Sequence, residues 1–306
     1  MAEKTVSLVL GAGGARGLAH IGVIQWLEEN GYVIRSIAGS SMGALIGGIY
    51  AAGKLQVYTD WVTSLEKLDV FRLLLDFSFG EGGLIKGERI INVLRDLIGH
   101  YQIENLPLSY TAVATDLEEQ KEVWLNRGPL FDAIRASMAI PSIFTPFEIN
   151  GRLLVDGGVL NPIPIAPTLR DETDLTIAVN AGGPPEPELA RPRPAPVPAA
   201  VRNGYEKYRE LMRQFLNGLQ RRELREPPES LGLFEVIAKT LDTMENTIAR
   251  FKLAAYAPDI IIEIPSNACL FYEFYRANEL IPLGYERAAR ACASCPPGND
   301  REGGKT

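Results

Sequence analysis

The amino-acid sequence predicts an α/β fold, in which a mostly parallel sheet carries helices on both faces and a helical hairpin is added. Short apolar runs alternate with helical patterns through the first 183 residues, as they do where parallel strands are joined by helices. Glycine-rich turns connect strand to helix at two places, and a proline-rich stretch precedes two long helical patterns. We therefore expect functional residues at the carboxyl ends of strands, along one edge of the sheet.

The first four elements follow one another directly. The apolar run of residues 5–10 predicts a buried strand, and the helical pattern over 17–31 ends at a glycine. A second strand is predicted over 34–40 and a helix over 42–53, with three internal glycines. Each of these glycines costs a helix about 1 kcal/mol relative to alanine, which indicates close packing against a neighbouring backbone. Further strand and helix patterns cover 108–117, 130–140, 152–158 and 174–181.

Composition divides the chain into five parts. We expect a core over 1–183, an extended proline-rich linker over 184–199 and a helical hairpin inserted over 200–257. A strand and helix over 258–293 should complete the core, and the polar tail over 294–306 is predicted to be disordered.

The hairpin prediction rests on apolar residues that recur in steps of three and four, the spacing of coiled-coil packing. We expect two antiparallel helices that project near the mouth of the site as a cap, a homodimer contact or a contact to anionic membrane. The alternative is a hairpin folded onto the body as additional core. The two apolar series are Val201, Tyr205, Tyr208, Met212, Phe215 and Leu219, and then Ile237, Leu241, Met244, Ile248, Phe251 and Ala255.

Charge and cysteine content exclude several classes of protein. The net charge is −7 and the isoelectric point is near 5.1, which argues against a nucleic-acid-binding protein. The three cysteines, Cys269, Cys292 and Cys295, form neither a disulfide framework nor a zinc-site pattern. The amino-terminal apolar run is too short for a signal peptide, and nothing approaches the ~20 apolar residues of a membrane span. We therefore expect a cytoplasmic protein with free thiols.

The pattern G-S-S-M-G from Gly39 to Gly43 lies between the second predicted strand and the next helix. G-x-S-x-G in this context is typical of a nucleophile elbow, a sharp turn that exposes a serine hydroxyl at the end of a strand. Ser41 is therefore the candidate nucleophile.

A glycine loop from Gly11 to Gly17 joins the first strand to the first helix. It resembles a dinucleotide-binding loop, but Arg16 stands where the last glycine is required, and no acidic residue ends the second strand. Such a loop also directs backbone N–H groups into one concavity, which suits the oxyanion of an acyl-transfer reaction. A tight turn without any ligand is the remaining alternative.

The base that would activate Ser41 is not evident among the histidines. His20 is predicted to be a buried core residue and His100 to lie at a helix end, and neither follows a strand as a triad histidine would. Asp156 ends a predicted strand and precedes two glycines, and its carboxylate is ionised at neutral pH. It is the candidate base, with a D-G-G turn that bonds only its own backbone as the alternative.

Four motifs together resemble the patatin-like phospholipase family: GAGGARGLAHIGV, GSSMGALIGG, ASMAIPSIFTPF and VDGGVLNPIP. The resemblance implies a Ser41–Asp156 dyad, an oxyanion hole from the amides of Gly13 and Gly14, and a structural or phosphate-binding role for Arg16. It departs from the family where Gly11 and Ala12 occupy the start of a loop that often reads D-G-G-G.

The resemblance further implies a lipid acyl hydrolase that cleaves phospholipid or lysophospholipid esters through an acyl-enzyme. No metal and no organic cofactor are implied, and the enzyme would act peripherally at the inner face of a membrane. Two alternatives stay open from the sequence: a catalytically quiet, membrane-associated regulatory scaffold, and a nucleotide-binding domain.

An apolar stretch after the serine helix suggests a lipid-facing rim or lid, with Phe77 and Phe79 beside flexible glycines. Ordinary core packing is the alternative, and is favoured for Leu65 and Leu68. The full apolar series is Trp61, Leu65, Leu68, Phe71, Leu75 and Phe79.

Overall fold

The structure is a computed structural model that describes residues 3–73, 86–189 and 233–293. Within these ranges, eight strands form one sheet, and eight α-helices surround it. The strands are β1 Lys4–Leu10, β2 Tyr32–Ser40, β3 Ser109–Asp116, β4 Lys121–Leu125, β5 Phe147–Ile149, β6 Arg152–Asp156, β7 Leu175–Gly183 and β8 Ile260–Pro265. The helices are α1 Ala19–Glu29, α2 Met42–Ala51, α3 Leu55–Thr63, α4 Lys67–Leu73, α5 Glu88–Ile98, α6 Leu130–Ser137, α7 Leu233–Tyr256 and α8 Ala277–Ala293.

The strand order β5-β6-β3-β2-β1-β7-β8 confirms the predicted α/β class. The pairs β3–β2, β2–β1, β1–β7 and β7–β8 are parallel, whereas β4, β5 and β6 join the β3 side as antiparallel strands. The central strand β1 begins with exposed Lys4 and half-buried Thr5 and is buried from Val6 to Leu10. The core is therefore built around β1 and its two parallel neighbours.

The register of the sheet brings two strand ends to neighbouring positions on β3. Ser40 at the end of β2 pairs with Val113, and Asp156 at the end of β6 pairs with Ala114, the next residue of β3. Because β6 runs antiparallel to β3, it enters from the carboxyl edge and ends level with the last residue of β2. Ser41 and Asp156 thus arrive from opposite directions at neighbouring positions.

Helix α2 packs unusually close to the sheet, as its glycines predict. A Cβ built on Gly43 would lie 2.0 Å from the carbonyl oxygen of Leu10 and 2.5 Å from the Leu10 carbonyl carbon. No side chain fits there, because both neighbouring atoms belong to the backbone. The amino-terminal end of α2 is therefore held directly against the end of β1.

Helices α1 and α8 cross at a second glycine contact. A Cβ on Gly22 would lie 1.9 Å from the carbonyl oxygen of Ile281, and one on Gly284 would lie 1.9 Å from that of Ala19. The carboxyl-terminal helix thus packs directly against the first helix.

Helix α7 covers the second helical run of the predicted hairpin, and the first run lies outside the described residues. Rather than projecting along its whole length, α7 packs its Ala249 and Leu253 side chains against the core residues Val9, Ile163 and Ala178. The expectation of a projecting helix is therefore wrong for this segment, because its small and apolar residues face the sheet. Met244 and Phe251 lie on the other side and are 51% and 73% exposed.

The predicted lid region is described only in part. Trp61 and Leu65 are partly buried against the core, whereas Leu68 on α4 is 60% exposed. Phe77 and Phe79 lie outside the described residues. No described helix is both long and apolar enough to cross a bilayer.

Candidate active site

Ser41 occupies the sharp turn between β2 and α2. Its backbone angles are φ 55° and ψ −121°, a left-handed region that non-glycine residues avoid unless the surrounding structure imposes it. The turn is held from both sides: Ser41 N–H donates to Ser137 Oγ at 2.9 Å, and Ser137 Oγ donates to the carbonyl of Val113 at 2.6 Å. The flanking Gly39 is required, since a Cβ there would lie 2.4 Å from the carbonyl oxygen of Gly43.

The Ser41 hydroxyl donates a hydrogen bond to Asp156 Oδ2 at 2.6 Å. Asp156 Oδ1 accepts a second bond from the N–H of Gly158 at 2.7 Å. The backbone must turn tightly after the aspartate, because a Cβ on Gly157 would lie 2.1 Å from the carbonyl oxygen of Val113. Both side chains are enclosed: Ser41 is 3% and Asp156 is 2% exposed.

Burial raises the pKa of Asp156 to about 7, against the opposing effect of the hydrogen bonds from Ser41 and Gly158. Removal from water disfavours the charged carboxylate, and the two donors recover only part of that cost. A pKa near neutrality makes the carboxylate a stronger base than an exposed aspartate, which suits proton abstraction from a hydroxyl.

The glycine turn after β1 lies against this elbow. A Cβ on Gly17 would lie 2.5 Å from the Cβ of Met42, the first residue of α2. Gly14 has φ 54°, and a Cβ there would lie 2.7 Å from the carbonyl oxygen of Phe271. Among the described residues, the amides of Gly13 and Gly14 have no acceptor, although the amides on either side of them do. The turn therefore contacts the elbow at Gly17 and carries two N–H groups without an acceptor among the described residues.

Arg16 is committed to protein partners. Its Nη2 donates to Asp242 Oδ1 of α7 at 2.6 Å, and its Nη1 donates to the carbonyl of Ser266, after β8, at 3.0 Å. The residue is only 6% exposed. In this structure Arg16 joins the glycine turn to α7 and to the carboxyl-terminal part of the sheet.

Neither histidine is hydrogen-bonded to the dyad. His20 is fully buried and its Nε2 lies 2.8 Å from the carbonyl oxygen of Gly11. Burial lowers its pKa to about 4, so the ring is neutral and its Nε2–H is the donor. His100 is exposed beyond the end of α5. His20 is thus the buried core residue that the sequence predicts.

Sequence analysis missed the polar face that α7 turns toward the site. Asp242 contacts Arg16, Glu245 Oε1 lies beside Gly158, and Asn246 Oδ1 lies beside Gly182. These residues fall on the same helical face as the buried Ala249 and Leu253. A search for the face with the buried small residues, rather than the strongest apolar stripe, would have found them.

The described part of the chain contains no group of three or more histidine, cysteine or acidic side chains that could hold a metal ion. What it does contain is a serine hydroxyl bonded to a buried carboxylate, and a glycine turn with two amides that have no acceptor among the described residues. This arrangement can form and break an ester by nucleophilic attack.

Comparison with known proteins agrees with this geometry. The model of the patatin-like phospholipase family matches residues 8–169. An uncharacterized NTE family protein of Mycobacterium tuberculosis is 40% identical, over 94% of this chain and 91% of that protein. Lysophospholipase NTE1 of Candida glabrata is 30% identical, over 60% of this chain and 11% of that protein.

Among solved structures, VipD from Legionella pneumophila aligns over 95% of this chain and 66% of its own, with 14% identity and a TM-score of 0.46. The family match covers both candidate catalytic residues and the glycine turn, and the mycobacterial relative extends the similarity through nearly the whole chain. This chain belongs to the patatin-like phospholipase family and is a lipid hydrolase.

Proposed function

We propose that the protein hydrolyses carboxylic esters of phospholipids or lysophospholipids with a Ser41–Asp156 dyad and an acyl-enzyme intermediate. The observation that carries the proposal is the 2.6 Å hydrogen bond from Ser41 Oγ to Asp156 Oδ2, made by a serine at φ 55°. The lysophospholipase name of the Candida relative supports the choice of substrate class.

In the first step, Asp156 accepts the hydroxyl proton while Ser41 Oγ attacks the ester carbonyl. The negative charge that forms on the carbonyl oxygen is received by the N–H groups of Gly13 and Gly14. Collapse of the tetrahedral intermediate expels the alcohol, which takes the proton from Asp156, and leaves the acyl group on Ser41. Asp156 then takes a proton from water, which attacks the acyl-enzyme, and returns that proton to Ser41 Oγ as the fatty acid leaves.

The substrate must reach a serine that is only 3% exposed, so a neighbouring side chain or element has to move on binding. We infer that the enzyme meets its substrate at a lipid surface, where Met244 and Phe251 on the outer face of α7 are available for apolar contact. Peripheral contact of this kind would need no membrane-spanning helix.

The test is covalent labelling by a fluorophosphonate combined with hydrolysis of a short soluble ester. Ser41→Ala should abolish labelling, and Ser41→Ala and Asp156→Asn should each lower kcat/KM by at least about 10³-fold. His20→Gln is the matched control, because it removes a buried histidine that does not contact the dyad, and it should retain most of the activity of the folded protein.

Loss of chemistry in folded His20→Gln, as complete as in Ser41→Ala, would contradict the dyad. Absence of labelling together with tight nucleotide binding would support the nucleotide-binding alternative. Folded wild-type protein that binds lipid vesicles but neither labels nor hydrolyses any ester would support the regulatory scaffold.

A further inference from the structure

Glu245 reaches from α7 into the space between the dyad and the glycine turn. A Cβ built on Gly158 would lie 2.9 Å from Glu245 Oε1, 3.0 Å from Asp156 Oδ1 and 3.0 Å from the Cβ of Ala12. The two carboxyl oxygens therefore lie within about 5.9 Å of each other. Ala12 directly precedes Gly13, so Glu245 approaches the catalytic base and the proposed oxyanion site together.

The two carboxyl groups differ in what stabilises their charge. Asp156 accepts hydrogen bonds from Ser41 Oγ and from the N–H of Gly158, and both donors favour its ionised form. Among the described residues, Glu245 accepts no comparable bond. Since two ionised carboxylates at this separation repel each other, one proton is retained by the pair. The hydrogen bonds place that proton on Glu245.

Three charged groups act on Glu245. Asp156 at the end of β6 and Asp242, three residues earlier on α7, are negative, and Arg16 after β1 is positive. Arg16 directs its Nη2 to Asp242. The β7 residues that meet α7, Ala178 and Gly182, carry no charge, and Gly182 lies beside the neutral amide of Asn246. Burial, followed by the charges of Asp156 and Asp242, raises the pKa of Glu245 to about 8. Glu245 is therefore neutral at pH 7 and ionises at moderately alkaline pH.

We propose that Glu245 is a second carboxyl group of the active site, which must be protonated for the reaction and which inhibits it on ionisation. The proposal rests on the serine hydrolase function argued above. The reaction creates a negative charge on the substrate oxygen at Gly13 and Gly14, and a second carboxylate beside Ala12 opposes that charge. Glu245 acts through the electrostatics of the site, without taking part in bond making.

The experiment measures kcat/KM for a short soluble ester, and the rate of fluorophosphonate labelling of Ser41, between about pH 5.5 and pH 9.5. In the wild type both should rise through the pKa of Asp156 and fall about tenfold at alkaline pH, with a midpoint near 8. In Glu245→Gln, both pH profiles should keep the rise at acidic pH and lose the fall at alkaline pH. Glu245→Asp, whose carboxyl lies farther from Asp156, should keep a smaller alkaline fall.

Glu122→Gln is the matched control. Glu122 also contacts α7, through an ion pair with Lys252 at 3.5 Å, but it is not bonded to Ser41 or Asp156. Its replacement should therefore leave the fall in rate at alkaline pH unchanged. Glu245→Ala replaces Glu245→Gln if the latter does not fold, and it should also lose the alkaline limb.

An alkaline fall that persists in Glu245→Gln or Glu245→Ala contradicts the role of Glu245, as does its absence from a reactive wild type. Lack of labelling of wild-type Ser41 at every pH contradicts the serine hydrolase function itself, and this inference with it. The two failures are therefore distinguishable.

Discussion

Two regions meet at the dyad and are held in different ways. The elbow that carries Ser41 is fixed by backbone against backbone, as at Gly43, where a Cβ would lie 2.0 Å from the Leu10 carbonyl oxygen. Helix α7 is attached by side chains: the Asp242–Arg16 ion pair and the small cluster around Ala249 and Leu253. The Ser41 and Asp156 side chains are thus positioned by backbone contacts at strand ends, whereas part of their electrostatic surroundings comes from a helix that is held by side-chain contacts.

The largest effect should follow from breaking the elbow. Gly43→Ala places a methyl group against backbone atoms of Leu10 that cannot rotate away. The free energy of unfolding should therefore fall by about 3 kcal/mol or more. Ester hydrolysis should be lost with it. Thermal or denaturant unfolding and fluorophosphonate labelling measure both effects.

Gly48→Ala on the same helix is the control for this variant. Its Cβ would meet side-chain atoms and no backbone: the ends of Ile134 and Leu130 at 3.0 Å and the Tyr110 ring at 3.1 Å. Alanine also gains about 1 kcal/mol of helix propensity. Its stability should therefore stay within about 1 kcal/mol of the wild type. Equal destabilisation by the two substitutions would show that the backbone contact at Gly43 has no special role.

A second prediction concerns the decrease in folding stability that is caused by the burial of Asp156. The pKa of Asp156 is raised to about 7 from 3.8. Between about pH 4 and pH 7 the unfolded state is ionised at this residue while the buried carboxyl keeps its proton, so the folded state loses stability as pH rises through this range. A shift of this size corresponds to at most about 4 kcal/mol. Asparagine removes this cost but also loses the hydrogen bond from Ser41, which offsets part of the gain. Asp156→Asn should therefore be about 2 kcal/mol more stable than the wild type at pH 8.

The pH dependence identifies the cause of this gain. At pH 4 both the wild-type aspartic acid and the asparagine are neutral, so the difference in unfolding free energy should nearly vanish. A gain of equal size at pH 4 and pH 8 would rule out ionisation of Asp156 as its source.

A third prediction loosens α7 while leaving the elbow intact. Asp242→Ala removes the ion pair with Arg16, which keeps its bond to the Ser266 carbonyl, and should cost about 1 kcal/mol. Hydrogen exchange should increase along α7 and stay unchanged in α2, and Ser41 should still react with a fluorophosphonate. The control is Glu286→Ala, which breaks an exposed pair with Arg290 on α8. Faster exchange in α2 as well would mean that α7 and the elbow open together as one cooperative unit.

The smallest effect on stability is expected on the outer face of α7. Met244 and Phe251 are 51% and 73% exposed, so replacing both with serine should change the unfolding free energy by less than about 0.5 kcal/mol. Flotation with phosphatidylcholine vesicles should fall severalfold, while hydrolysis of a soluble ester is retained. Unchanged flotation would contradict lipid contact by this face.

The same contrast explains what could be predicted from the sequence. The strands, the elbow and the position of Asp156 at a strand end depend on local patterns: apolar runs, and glycines where a backbone approaches another backbone. These patterns lie within a few residues of the atoms they position. For that reason Ser41 and Asp156 could both be identified as candidate site residues from the sequence, although 115 positions separate them.

The contribution of α7 could not be predicted in the same way. Its helical spacing is clear, but the apolar stripe of Met244, Phe251 and their neighbours turns outward in part, and Ala249 and Leu253 face the core. Which face a helix buries depends on the shape of the surface beneath it, and that surface is assembled from distant segments. The approach of Glu245 to the dyad is a consequence of this packing and has no signature of its own.

The partners of the glycine turn have a consequence for biosynthesis. Ala15 N–H donates to the carbonyl of Phe271, and Arg16 donates to that of Ser266, so residues near Gly13 and Gly14 are completed by segments translated long after Asp156. A nascent chain therefore contains its nucleophile and base well before it can finish the turn proposed to receive the oxyanion. We therefore expect reactivity toward esters to appear on the ribosome only after the late segments have emerged and docked.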